Sequence, residues 1–315
     1  MSRPSLAAAL AVILPLPALA EAPRVVADIA PVQGLVARVM DGVGTPALLI
    51  PPNASPHSHA MKPSDARALS EAQAVFMVGP DLTPWLLKPV ETLAPQASHI
   101  VLMDAPGTLR LPNRTGETFE THGHQEDHAL EAGEAGHAHH ETGSDAGTDP
   151  HAWLDPENGK LWLSAIAAEL SRIDPANAPA YAANATRGAA EIDAAQADVQ
   201  TALAAGPTPR FIVFHDAYQY MEHRFGLSAV GSISLGDATP PGPARVAQLR
   251  DKVAALGIDC AFSEPQFNAD LLRTVFAGSD ARMAVIDPLG TTIPEGPDFY
   301  PALIRSVGMA LATCE

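Results

Sequence analysis

Residues 174–205 read DPANAPAYAANATRGAAEIDAAQADVQTALAA. After the start signal Asp174-Pro175, this Ala-rich segment holds almost no helix breaker. Roughly thirty helical residues span about 45 Å, more than an ordinary domain helix. Short apolar runs alternate with amphipathic stretches on both sides of it. Upstream, VVADIA (25–30), ALLIP (47–51), VFMVG (75–79) and HIVLMD (99–104) read as buried strands. Between and after them, VQGLVARVM (32–40), PSDARALSEAQ (63–73) and Pro156 to Leu170 have helical spacing. Downstream, RFIVF (210–214), LSAVGSIS (227–234), IDCAFSE (258–264) and ARMAVID (281–287) read as strands. Helices are expected at AYQYMEHRF (217–225), ARVAQLRDKVAALG (244–257), LLRTVFAG (271–278) and PALIRSVGMALA (301–312). Strands alternating with helices imply mostly parallel sheets covered on both faces. The expected fold is therefore α/β, with two lobes, 21–173 and 206–315, joined by a long helix over 174–205.

The first twenty residues, MSRPSLAAALAVILPLPALA, read as a secretory signal peptide. Arg3 supplies the positive start, Leu6 to Leu16 the apolar run, and Ala18-Leu19-Ala20 a small-x-small cleavage site after Ala20. The run is too short for a membrane span. With 19 basic against 36 acidic residues, the charge argues against nucleic acid as a partner. In an oxidising compartment the only two cysteines, Cys260 and Cys314, either form a bridge or remain two unrelated buried thiols.

Residues 116–149 break the alternation. They contain nine Asp or Glu, no Lys or Arg, and few large apolar side chains, so a mobile loop is expected. Six of the twelve histidines crowd here: His122, His124, His128, His137, His139 and His140. Imidazoles interleaved with carboxylates suit weak, multisite metal capture.

Four further polar residues fall where strand-like runs end: His57, His151, His215 and Asp287. Ligands of open α/β sheets bind beyond the carboxyl ends of the strands. Three imidazoles and a carboxylate make a good tetrahedral Zn²⁺ site and a poor one for the oxygen-seeking Mn²⁺ and Ca²⁺. Each member also has a bland alternative: a strand-end His is often structural, and Asp287 in DPLGT can simply start a turn. His59 can replace His57 or act as a loop donor. Glu264 is either an orienting partner for an imidazole or a capping residue.

The segments SPHSHAMKPSD, the acidic His stretch, DPHAWLDP, FHDAYQYMEHRFGL, CAFSEPQF and DPLGT together resemble the ZnuA-like periplasmic zinc-binding receptors of bacterial ABC importers, in the cluster A-I metal-binding family. The resemblance covers nearly the whole chain after Ala20. It implies two α/β lobes on one rigid helix, with zinc at their interface. His57, His151 and His215 match the family's three histidines, and Asp287 matches an acidic fourth position that zinc members also fill with water. Cys260 and Cys314 match a disulfide of part of the zinc subfamily. The implied partners are the zinc ion and an inner-membrane ABC permease, with a periplasmic metallochaperone as accessory and a monomeric receptor. The competing readings are a secreted zinc hydrolase and a receptor or adhesin for another divalent metal such as Mn²⁺; no HExxH motif supports the hydrolase.

Overall fold

The computed structural model describes residues 21–114, 147–207, 209–234, 246–247, 250–251, 253 and 257–314. The expected signal peptide and its cleavage site, and all six clustered histidines, lie outside the described residues.

Among the described residues, eight short strands form two four-stranded sheets. The first contains β1 (Val25–Ala27), β2 (Ala47–Leu48), β3 (Ala74–Met77) and β4 (Ser98–Val101) in the order β2-β1-β3-β4. The second contains β5 (Phe211–His215), β6 (Gly231–Ser234), β7 (Cys260–Ser263) and β8 (Arg282–Val285) in the order β6-β5-β7-β8. Every pairing is parallel. The central strands β1, β3, β5 and β7, and the edge strand β6, are buried along their whole length, as parallel sheets sandwiched between helices require.

The two sheets repeat one register. Val25 stands opposite Ala74, and Phe211 stands opposite Cys260, both 49 residues apart. The resemblance extends to the residue before each strand: the backbone N–H of Arg24 donates to Gln73, and that of Arg210 to Asp259. In both sheets the strand order reverses beside the first strand, which opens a crevice at the carboxyl ends.

The helices that clothe the sheets include α1 (Ala30–Val39), α2 (Pro63–Glu71), α3 (Leu87–Leu93), α4 (Pro156–Ile173), α5 (Ala178–Ala204), α6 (Gln219–Phe225), α7 (Ala269–Val275) and α8 (Phe299–Thr313). The residues described within 246–253 are helical, and the rest of the helix expected over 244–257 lies outside the described residues. Helix α3 went unanticipated. Its seven residues follow a 3₁₀ turn at Pro84–Leu86, and a stretch that short carries little periodicity.

The long segment opens with a 3₁₀ turn at Pro175–Asn177, and α5 then runs for 27 residues, about 40 Å. Its buried residues Tyr181, Ala185, Gly188, Ile192, Ala195 and Val199 form one stripe at helical spacing. That stripe packs on α4 and α1 of the first lobe and on the C-terminal helix α8. Glycines allow the close approach: a Cβ on Gly308 of α8 would collide with the Val199 side chain. One continuous apolar core consequently runs through both lobes, while a smaller cluster around Ile233, Leu272 and Val275 fills the far side of the second sheet. Cys260, at the start of β7, is joined by a disulfide to Cys314, just past α8.

Among the described residues, no helix is long and apolar enough to cross a membrane.

Candidate metal centre

The site is built from the ends of elements. His57 lies in the irregular segment between β2 and α2. Trp85 Nε1 holds this segment by donating to the Pro56 carbonyl at 2.8 Å. His151 ends a coil just before a 3₁₀ turn at Ala152–Leu154. His215 is the last residue of β5, the inner strand at which the second sheet reverses its order.

Although 94 and 64 residues separate them in sequence, the three imidazoles are neighbours. The rings of His57 and His151 lie 5.6 Å apart, and those of His151 and His215 lie 5.2 Å apart. All three line one cavity of about 20 Å³, walled by Trp153, Phe267 and Leu289. That is room for about one ion or water.

Two of the rings are aimed by carboxylates. His151 Nδ1 lies 2.8 Å from Asp149, which also accepts the His151 backbone N–H at 2.9 Å. His215 Nδ1 lies 2.7 Å from Glu264, at the end of the adjacent strand β7. Because a carboxylate accepts, each Nδ1 carries the hydrogen and each Nε2 is left as the lone-pair donor. Among the described residues, no group of three or more His, Cys, Asp and Glu side chains is placed so that it could hold a metal ion as it stands. The three rings are neighbours in one cavity without forming a finished coordination sphere.

Burial governs the charge state. It lowers His57 to about 3, helped by repulsion from His151 and His215. His151 is driven well below the usual imidazole range by burial and by His215. Both rings are therefore neutral, the form that binds a metal. Burial pushes Asp149 up to about 7, against the opposing pull of its backbone hydrogen bond and of Arg114.

Asp287 is placed differently from its three expected companions. One of its carboxylate oxygens accepts from the backbone N–H groups of Leu289 and Gly290 and from Gln266 Nε2, the other from the Thr291 backbone and hydroxyl. It caps the turn of DPLGT and does not line the cavity. His59 also points elsewhere: its ring packs 5.6 Å from Trp85 and reaches Asp65 at 3.4 Å.

Sequence reasoning anticipated Glu264 as one of two options and missed Asp149, which it assigned to the mobile stretch. Gly147–Asp149 instead pair with Leu111–Asn113 through the Asn113 and Asp149 backbone N–H groups. The Asp-x-His spacing of 149–151 was the available signal, because a side chain two residues back can reach its own backbone.

Residues 25–314 match the family described as ZnuA, zinc-uptake complex component A periplasmic. The chain belongs to the ZnuA family. A family relative, the high-affinity zinc uptake system protein ZnuA of Paracoccus denitrificans (strain Pd 1222), is 44% identical over 323 residues, covering 100% of this chain and 99% of the relative. The ZnuA protein of the same description from Brucella abortus (strain 2308) is 42% identical over 306 residues, with 92% and 91% covered. A crystal structure of ZnuA superimposes with a TM-score of 0.74 at 23% identity, over 92% of this chain and 98% of that one, and shares the two-lobed fold. The family is one of periplasmic solute-binding receptors.

Proposed function

We propose that this chain captures Zn²⁺ in the periplasm with His57, His151 and His215 and delivers it to an ABC permease for zinc uptake. The observation that carries the reading is the convergence of three imidazoles, two of them carboxylate-braced, on a cavity sized for one ion. Imidazole nitrogens suit Zn²⁺. The neutral rings of His57 and His151 replace part of the hydration shell without first losing protons, and the apolar walls keep competing water out.

The fourth position falls to water in this reading, since the Asp287 oxygens are engaged by their own turn and Asp287 shapes the wall from behind through Pro288 and Leu289. The cavity's size also speaks against the hydrolase reading, and the histidine at position 215, where a carboxylate would favour Mn²⁺, speaks against the manganese one. The receptor acts as a monomer, with the cleavage after Ala20 releasing it and an accessory metallochaperone as a further source of zinc.

The test is metal titration of the mature protein and of His57→Ala, His151→Ala and His215→Ala. One tight zinc equivalent, lost or strongly weakened in each variant, is expected. A tight site that survives all three substitutions overturns the assignment.

A further inference from the structure

The guanidinium of Arg114 stands between the elements that carry two of the three imidazoles. Its Nε donates to Asp216 Oδ2 at 2.9 Å, and its Nη2 to Asp216 Oδ1. Its Nη1 and Nη2 donate to the two oxygens of Glu222, each at 2.8 Å. Asp216 follows His215 directly, and Glu222 lies on α6. Both carboxylates are largely buried, with side chains 11% and 5% exposed. Arg114 itself directly follows the short paired stem of Leu111–Asn113 and Gly147–Asp149, whose other strand carries the Asp149 that aims His151.

Helix α6 grips the same stem at two more points. Tyr220 Oη accepts the Leu111 backbone N–H at 3.0 Å and donates to the Asp149 carbonyl at 2.8 Å. Gln219 Nε2 donates to the Pro112 carbonyl at 3.1 Å. Of these contacts, only the Arg114 fork joins the stem to the residue beside His215, and a planar fork of donors fixes both distance and angle.

This inference rests on the proposed zinc site. We propose that Arg114 is a positioning residue: its double fork on Asp216 and Glu222 locks the Asp149–His151 stem to the His215 strand end and so sets the spacing of the two braced imidazoles.

Charge and position predict opposite outcomes. Arg114 is a cation near a cation site, so its neutralisation should tighten zinc binding if charge alone mattered. If it positions the ligands, its removal weakens binding by ~10–100-fold, the usual effect of losing an outer-shell support. The experiment measures zinc affinity by chelator competition, and zinc release by stopped flow, for wild type, Arg114→Gln, Arg114→Lys, His215→Ala and Arg305→Gln. Arg305 forms an exposed ion pair with Asp198 and serves as the control for losing any ion pair.

The expected order is wild type equal to Arg305→Gln, then Arg114→Lys, then Arg114→Gln, with the loss residing in faster release. Arg114→Gln that binds as tightly as wild type or tighter overturns the proposal, and so does Arg114→Lys that is no better than Arg114→Gln. If Arg114→Gln does not fold, comparing Arg114→Lys with wild type decides. Retention of tight binding by His215→Ala instead rejects the underlying site, whatever Arg114 does.

Discussion

His215 Nδ1 and Glu264 Oε1 lie 2.7 Å apart because the 49-residue register of β5 on β7 sets these two residues side by side at the strand ends. The same carboxylate oxygen also faces the His215 backbone N–H at 3.3 Å. An imidazole in this position cannot rotate without breaking a buried hydrogen bond, so the strand register presents its Nε2 to the cavity. The zinc site inherits its precision from the sheet.

Removal of that brace should be felt at the metal. Glu264→Ala is expected to weaken zinc binding by ~10–100-fold with the protein still folded, and Asp149→Ala to do the same through His151. Glu264→Gln, whose amide oxygen still accepts, should lose less. Calorimetric titration against a competing chelator measures all three, and wild-type affinity in both alanine variants would contradict the bracing role.

The neutral rings set the proton balance of binding. His57 sits at about 3 and His151 well below the imidazole range, both held there mainly by burial. At pH 5.5 neither has a proton to lose, so the proton release on zinc binding should contain no contribution from these two rings. Calorimetry in buffers of different ionisation enthalpy counts it, and three protons would mean solvent-like imidazoles.

The same depressed values make the metal-free protein acid-sensitive. An unfolded histidine binds a proton near pH 6.5, whereas folded His57 does so only near 3. Between those values the unfolded chain holds the extra proton, and stability falls as pH drops. The melting temperature should decline from pH 7 to pH 4.5, less steeply in His57→Gln. Equal slopes would show that His57 titrates normally in the folded protein.

Reduction of the disulfide tests a different end of the fold. Cys260 opens β7 and Glu264 follows its last residue, so the bridge and the site sit at opposite ends of one strand. With the cysteines 54 positions apart in sequence, the chain-entropy relation gives about 4 kcal/mol. Reducing agent should lower the urea midpoint while leaving zinc affinity within about twofold.

The α5–α8 contact should be as sensitive as any core position. Gly308→Ala drives a methyl group into Val199 and is expected to cost about 1–3 kcal/mol in urea unfolding. Gly206→Ala, which meets no neighbour, should cost far less.

Much of this protein was legible in one dimension. The strands were readable because parallel strands packed between helices are nearly continuous apolar runs, and Ala178–Ala204 kept a single stripe at helical spacing. His57 and His215 were marked by their place after such runs, and His151 by the DPHAWLDP segment that follows the acidic stretch. Their mutual distances were not, since no local spacing connects residues 57, 151 and 215, and only the docking of two lobes along α5 brings them together. The roles of Asp149, Asp287 and Arg114 also needed the folded chain. A carboxylate or guanidinium has no function that can be read from its identity alone: its surroundings decide whether it aims an imidazole, caps a turn or joins two elements. Sequence determined which side chains were available and where strands would deliver them; tertiary packing decided which of those side chains meet, because burial and hydrogen bonding act between residues that the chain itself keeps far apart.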